Sequence, residues 1–252
     1  MIRQLRVAKL WTMRELLTHG HPTFTGRLRP FRETWPMGRV APKLDKVPAH
    51  WSLVRLTDVA RLESGHTPSR SRPDYWNGGI PWISLQDTDG LEALEIGQTR
   101  ETVSELGIQN SSARVLPQGT VVFSRTASVG LCSRMGRAMA TSQDYANYVC
   151  GDRLEPCYLV QLFRYMQPEW ERLQEGSTHK TIYIPVFEKL QILLPPREEQ
   201  AAIAAVGEAF DRRIAAEQVY LDQLQETKRG LAQALLSGRV RVPPQALRRE
   251  EA

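Results

Sequence analysis

Guanidinium, hydroxyl and amide side chains gather in four short segments of this chain, and together they suit contact with a polyanion. The segment Gly65-His66-Thr67-Pro68-Ser69-Arg70-Ser71-Arg72 sets two guanidiniums and several hydroxyls in a polar loop just before Tyr75-Trp76. A guanidinium fork can grip a phosphate or bind guanine at two points, and hydroxyls suit phosphate oxygens. Ser84-Leu85-Gln86-Asp87 ends a predicted strand and offers an amide that can read adenine and a carboxylate that can read cytosine. Ser124-Arg125-Thr126-Ala127-Ser128 follows a second predicted strand, and Gly176-Ser177-Thr178-His179-Lys180-Thr181 precedes a third. The candidate contact residues are therefore Thr67, Ser69, Arg70, Arg72, Gln86, Asp87, Ser124, Arg125, Thr126, Ser128, Ser177, Thr178, His179 and Lys180. Each segment alone also reads as a surface loop or turn cap, with Tyr75 and Trp76 as core anchors. Their recurrence at strand ends around one domain gives them weight.

Residues for bond-making are harder to assemble. A methyltransferase acting on an exocyclic nitrogen calls for a proline pair ending in an aromatic, but Pro195-Pro196 is followed by Arg197 and Pro243-Pro244 by Gln245. Gly130 to Gly136 has the wrong spacing for a nucleotide-binding turn. A nuclease pattern forced from Pro73-Asp74 and Glu226-Thr227-Lys228 would split its carboxylates between a globular domain and a distant helix, where they could not share one ion. His19, His21, His50, His66 and His179 are scattered and suggest no catalytic triad. Cys132, Cys150 and Cys157 lack metal-site spacing and read as reduced, structural thiols. No catalytic residue, metal site or cofactor is assigned to this chain.

Composition agrees with a binding role. Over 252 residues, 41% are hydrophobic and 24% charged, which is ordinary for a soluble globular protein. The net charge of +5 suits a polyanion, though many basic proteins bind none. Apolar stretches such as Ala201 to Val206 are too short to span a bilayer, so no membrane partner is expected. Arg3, Arg6, Lys9 and Arg14 near the start look like a transit peptide but come without an apolar core or a small-residue cleavage site.

The elements that must carry these segments are uneven in kind. From 48 to 195, short apolar runs alternate with turn clusters. Ile80 to Leu85, Thr120 to Phe123 and Thr181 to Phe187 read as strands, and Pro156 to Gln174 as a helix. That mixture predicts an α/β or α+β globular domain. From 196 to 238 there is no proline after the opening Pro196, and apolar residues recur every seven positions, which predicts a long coiled-coil helix. Its seam residues are Ile203, Phe210, Ile214, Leu221, Leu224, Leu231 and Leu235, interrupted by Gly207, Glu217 and Lys228. Pro195-Pro196 and the acids Glu198 and Glu199 mark its start, and Ser237-Gly238 its stop, ahead of a tail over 239–252.

Residues 1–20 read as a short helix with a twin. At a constant offset of 219, Gln4, Leu5, Lys9, Leu16 and Leu17 recur as Gln223, Leu224, Lys228, Leu235 and Leu236, and Thr18 meets Ser237. Common helix formers can produce such a match by chance, so it is suggestive only. Between this helix and the domain, residues 21–47 hold Pro22, Pro30, Pro36 and Pro42 and read as a linker.

A family likeness lies on the same segments. Gly65 to Ser69, Tyr75-Trp76-Asn77-Gly78-Gly79-Ile80-Pro81-Trp82-Ile83-Ser84, Gly119 to Arg125, Gly176-Ser177-Thr178, and Leu193-Leu194-Pro195-Pro196-Arg197-Glu198-Glu199-Gln200 before a coiled coil resemble, in this order, the specificity subunits of type I restriction-modification systems. The resemblance implies a target-recognition domain that reads one half of a bipartite site in double-stranded DNA. It further implies helices that dock modification subunits. Those subunits bring S-adenosylmethionine and methylate adenine. A restriction subunit, when present, brings ATP and Mg for cleavage. The setting is bacterial or archaeal cytoplasm.

The departure from the family is one domain and one long helix where full-length members alternate two of each. This is the half-length form, which needs a second half-subunit. Either two copies pair through the seam and read an interrupted palindrome, or a different chain supplies the other half and the site is asymmetric. A reading of another class is a protein-interaction adaptor or decoy that occupies modification subunits without reading DNA.

Overall fold

The computed structural model describes residues 1–24, 26–31, 44–174 and 181–240. Helix α1 (Ile2–His19) opens the chain, and β1 (Leu28–Pro30) and β2 (Lys46–Pro48) then pair antiparallel. The domain continues through β3 (Ser52–Arg55), β4 (Ala60–Ser64), β5 (Trp76–Ile83), β6 (Glu95–Ile96), β7 (Glu101–Val103), α2 (Glu105–Gln109), β8 (Val121–Ser124), β9 (Cys132–Met135), β10 (Ala140–Thr141) and β11 (Tyr145–Cys150). It finishes with α3 (Pro156–Tyr165), α4 (Gln167–Gln174), α5 (Ile184–Glu188) and β12 (Gln191–Leu194), after which α6 (Arg197–Leu236) leaves. The result is a mixed α/β globular domain with a long C-terminal helix. Among the described residues no helix is long and apolar enough to cross a membrane.

The central sheet runs β4-β11-β8-β9-β6, antiparallel except for the β6–β9 pair. Its middle strand β8 is buried throughout because it has a core on each face. Val121 and Phe123 enter one cluster and Val122 the other, as the two-residue period of a strand requires. On the first face Phe123, Phe163, Trp170 and Phe187 pack with ring centroids 4.9 to 6.2 Å apart, mostly edge to face. A second sheet, β10-β5-β7, and the short pair β12-β3 complete the domain.

Three expected elements come out differently. Thr181 to Phe187 does not form a strand. Pro185 lies in the first turn of α5, where its missing N–H and fixed φ are tolerated, and the turn drops Phe187 into the core. The single helix expected over Pro156 to Gln174 is two, because α3 ends at Tyr165 with Met166 as its cap, and α4 starts at Gln167 just before Pro168, which cannot donate the next helical hydrogen bond. The run Ile80 to Leu85 is a strand only to Ile83. Ser84 then caps the helical turn Leu85–Glu92.

The base of α6 is sunk into the domain. Ile203 and Ala204 lie in the main core, and Gln200 accepts from Glu155 N and donates to the carbonyls of Arg153 and Pro195. Helix α1 lies antiparallel on the same base, with Lys9 facing Asp211 and the chain just after its end facing Glu199. Met13, Leu16 and Leu17 of α1 join the core. At about 1.5 Å per residue, the forty residues of α6 reach on the order of 60 Å, well past the domain.

Glu199 knits these parts together. Its side chain is wholly buried and accepts hydrogen bonds from His21 N at 3.0 Å and Trp51 Nε1 at 3.0 Å, with His50 Nε2 at 2.8 Å. Gly20 leaves α1 with φ +90, and any Cβ there would stand 2.8 Å from the Glu199 carboxylate. Removing the acceptor strands the buried Trp51 Nε1 and the part-buried His21 N. Glu199→Ala is therefore expected to lower unfolding free energy by about 2–4 kcal/mol, with Glu199→Gln losing less. Urea titration of the three proteins checks this, and an Ala variant as stable as the parent would refute the role given to Glu199.

Candidate nucleic-acid interface

Five strand ends meet along one edge of the domain. Strands β5 and β10 run parallel, Ile83 beside Thr141, so the residues after each emerge together, and Ser142 N bonds to Ile83 O at 2.8 Å. Strand β11 begins where β8 ends, Tyr145 opposite Ser124, and β4 ends opposite Ala146. Strand β7 begins opposite the end of β5, Glu101 beside Trp82. The edge thus collects the loops after β4, β5, β8 and β10 and the residues just before β7. It is a rigid platform for side chains that reach outward.

The bonds between these loops are specific. His66 N bonds to Thr141 O at 2.9 Å, and Thr67 Oγ1 donates to Gln143 Oε1 at 2.7 Å. Arg125 donates from Nε and Nη2 to Gln143 O at 3.0 and 2.6 Å, and from Nη1 to Ile182 O. Thr126 bridges to Thr181, and Ile182 N bonds to Arg125 O. Burial lowers the pKa of Arg125, while Asp144 and Tyr183 pull it back up. Arg125 consequently holds the edge together while part of its guanidinium stays reachable.

The remaining candidates are sorted by what holds them. Asp87 is buried. It takes Ser84 N and Ser84 Oγ on one oxygen and Arg100 N at 2.7 Å on the other, which makes it a brace for the edge. Its neighbour Gln86 is exposed. Ser124 is fully buried and donates to Thr126 O, so it sets the loop from below, with Ser128 exposed at the tip. Ala127 takes φ +60 in that loop, a conformation few side chains adopt. Ser69 bonds Ser71, and its carbonyl accepts Trp76 Nε1.

Arg70 lies 3.8 Å from the Trp76 ring centroid and is gripped by both Glu101 oxygens, at 2.5 and 2.9 Å. That bond raises the pKa of Arg70 and lowers that of Glu101. Arg72 is held likewise by Asp74, above the Tyr75 ring. Both arginines are spoken for in the free chain. Ser177, Thr178, His179 and Lys180 lie outside the described residues.

Three edge residues escaped the sequence reading. Arg100 is exposed just before β7, and among the described residues its guanidinium has no partner. Gln143 is exposed at the centre of the edge, and Tyr183 is 61% exposed beside it. A basic residue immediately before the short strand Glu101–Val103 was the available signal for Arg100. Gln143 had none, because its neighbours come from β4 and β8.

The thiols of Cys132, Cys150 and Cys157 lie away from the edge, and burial pushes them up to about 11, 12 and 12, so all three stay protonated near neutral pH. The seam residues of α6 also divide. Ile203 is core, Phe210 and Ile214 are half-buried, and Leu221, Leu224, Leu231 and Leu235 are exposed.

Residues 48–226 match the type I restriction modification DNA specificity domain. The chain is similar to the specificity subunit of the type I restriction enzyme MjaIX from Methanocaldococcus jannaschii, 28% identical over 170 residues, covering 67% of this chain and 39% of that one. It is also similar to the HindI specificity subunit of Haemophilus influenzae, 25% identical over 156 residues, covering 60% of this chain and 33% of that one. The chain thus spans less than half the length of these relatives. Its fold resembles the HsdS subunit from Thermoanaerobacter tengcongensis, with TM-score 0.60 and 22% identity over 87% of this chain and 46% of that one. A chain from a structure of type I R-M complex assembly and conformational transition matches with TM-score 0.66 and 22% identity, over 94% of this chain and 51% of that one.

One glycine lets the edge close. A Cβ on Gly65 would stand 2.1 Å from Ser142 O and 2.3 Å from Thr141 O, both backbone atoms. Gly65→Ala must therefore push the β4 and β10 loops apart, with an expected loss of about 1–3 kcal/mol. Gly97→Ala, where a Cβ meets nothing within 4 Å, should be silent in the same denaturation series. Equal stability of the two variants would contradict the close approach.

Proposed function

The chain belongs to the type I restriction-modification DNA specificity family, and from that premise we propose that it reads one half of a bipartite DNA site through the edge built on β4, β5, β7, β8 and β10. The family's named members are specificity subunits, and the specificity domain is not an enzyme. The observation that carries the reading is the convergence of exposed Arg100, Gln86, Gln143, Ser128 and Tyr183 with Thr67, Arg125 and Thr126 on one rigid edge. Amides suit adenine, and guanidiniums and hydroxyls suit phosphate. In this reading Asp87, Ser124, Arg70 and Arg72 shape the edge from behind.

The long helix sets the distance to a second recognition unit and docks modification subunits, which supply S-adenosylmethionine and methylate adenine. A restriction subunit, when present, supplies ATP and Mg for cleavage. The assembly works in the cytoplasm, where the DNA is.

Phosphate and base contacts leave different traces. With modification subunits and a second half supplied, Arg100→Ala should weaken binding to all sequences alike and flatten the plot of log affinity against log salt by about 0.9. Gln143→Ala should leave the salt slope alone and relax preference at one base pair by about 1–3 kcal/mol. Affinity selection from randomised duplexes at several salt concentrations measures both. No sequence preference in the parent complex would overturn the reading.

A further inference from the structure

The distal stretch of α6 repeats α1 but finds no seat in this chain. Leu16 and Leu17 of α1 are 6% and 3% exposed against the base of α6, whereas their counterparts Leu235 and Leu236 are 37% and 90% exposed. Lys9 sits 2.6 Å from Asp211, and its counterpart Lys228 is exposed with no partner among the described residues. Leu5 is half-buried, and Leu224 is 48% exposed. Large apolar side chains spaced along one helix and left in water mark an interaction surface. The chain itself displays the surface that fits them.

That seat is well defined. Asp211 of α6 accepts from Lys9 on one oxygen, and from Gln161 at 2.8 Å and Arg164 at 3.3 Å on the other, both residues of α3. Gly207 lets Gln161 lie against α6, since a Cβ there would stand 2.5 Å from the Gln161 amide carbon. Burial lowers the pKa of Lys9, and Asp211 opposes it. The seat takes a helix running antiparallel to α6, because Lys9 faces Asp211 and His21 faces Glu199. A tail carrying Lys228, Leu235 and Leu236 in the same order would enter with the same sense.

We propose that α1 is a resident plug: it fills in cis the seat that the α6 tail of a second copy would take in trans, so two copies of this chain do not pair tail to base. The tail is left for another recognition unit whose own helix base is open. This rests on the reading of the chain as half of a reader, and it selects the unlike pair over the like one. Exclusion is steric, since two lysines and two leucine pairs cannot share one seat. The plug also has the better fit. Buried Met13 has the smaller Ala232 as its counterpart, and tethering gives α1 a high effective concentration that a free tail lacks.

Sedimentation equilibrium at tens of micromolar tests the plug on the full chain. The parent is expected at the mass of one copy. Leu16→Glu with Leu17→Glu expels α1 and leaves the tail intact, so this variant is expected at two copies. Adding Leu235→Glu and Leu236→Glu, or a peptide of residues 1–21, should return it to one.

A milder change guards against misfolding. Lys9→Glu keeps the leucines, and a fluorescent peptide of residues 221–238 should bind it roughly tenfold tighter than it binds the parent, about the factor for one partly buried ion pair. A parent that is already a dimer, a folded double variant that stays single, or equal peptide binding would each overturn the proposal. None of these readouts uses DNA, so a chain that reads no sequence would sink the earlier reading and leave this one standing.

Discussion

A carboxylate with no access to water sits where three parts of this molecule join. Glu199 is in the first turn of α6, where the helix's own N-terminal charge favours an anion, yet burial alone would make that anion costly. It is retained because the start of the domain, through His50 and Trp51, and the exit of α1, through His21, deliver hydrogen bonds to it. The consequence is a rigid joint. A helix of forty residues can set a distance only if its direction is fixed relative to the polar edge of the domain, and the joint fixes it.

The edge obeys the same logic on a smaller scale. Polar side chains sunk behind it are satisfied by backbone groups from different strands: Asp87 by Ser84 and Arg100, and Ser124 by Thr126. Arg125 ties two loops from nearer the surface. These groups use their hydrogen-bonding capacity inward, which leaves Gln86, Arg100 and Ser128, and the amide nitrogen of Gln143, to face a partner. Order behind the edge lowers the entropy lost when the front is engaged.

Elements dictated by local chemistry are legible in the sequence, and those supplied by distant partners are not. The long helix was legible because Pro195-Pro196, the acids after it and a seven-residue period are local signals. Strand β8 was legible as an unbroken apolar run. Strand β4 was not, since Arg61, Glu63 and Ser64 look like a loop. They form a strand because Glu63 is clasped by Arg61 and Arg114 and its carbonyl accepts from Asn147. Periodicity likewise grouped Ile203 with Leu231 on one seam, though Ile203 packs in the domain and Leu231 lies in water. A repeat reports that a face is apolar and is silent on what covers it. Asp87 and Arg70 looked like free ligands because their partners, Arg100 and Glu101, are 13 and 31 positions away.

The central claim is that this chain gives an adenine methyltransferase half of its sequence preference. Its most direct measure is the methylated-adenine motif made in cells that carry the chain with modification subunits and a second half. The account predicts a bipartite, asymmetric motif in which exchanging residues 48–195 for those of another family member rewrites one half and spares the other. A motif that keeps both halves after the exchange, or methylation without any motif, would contradict it.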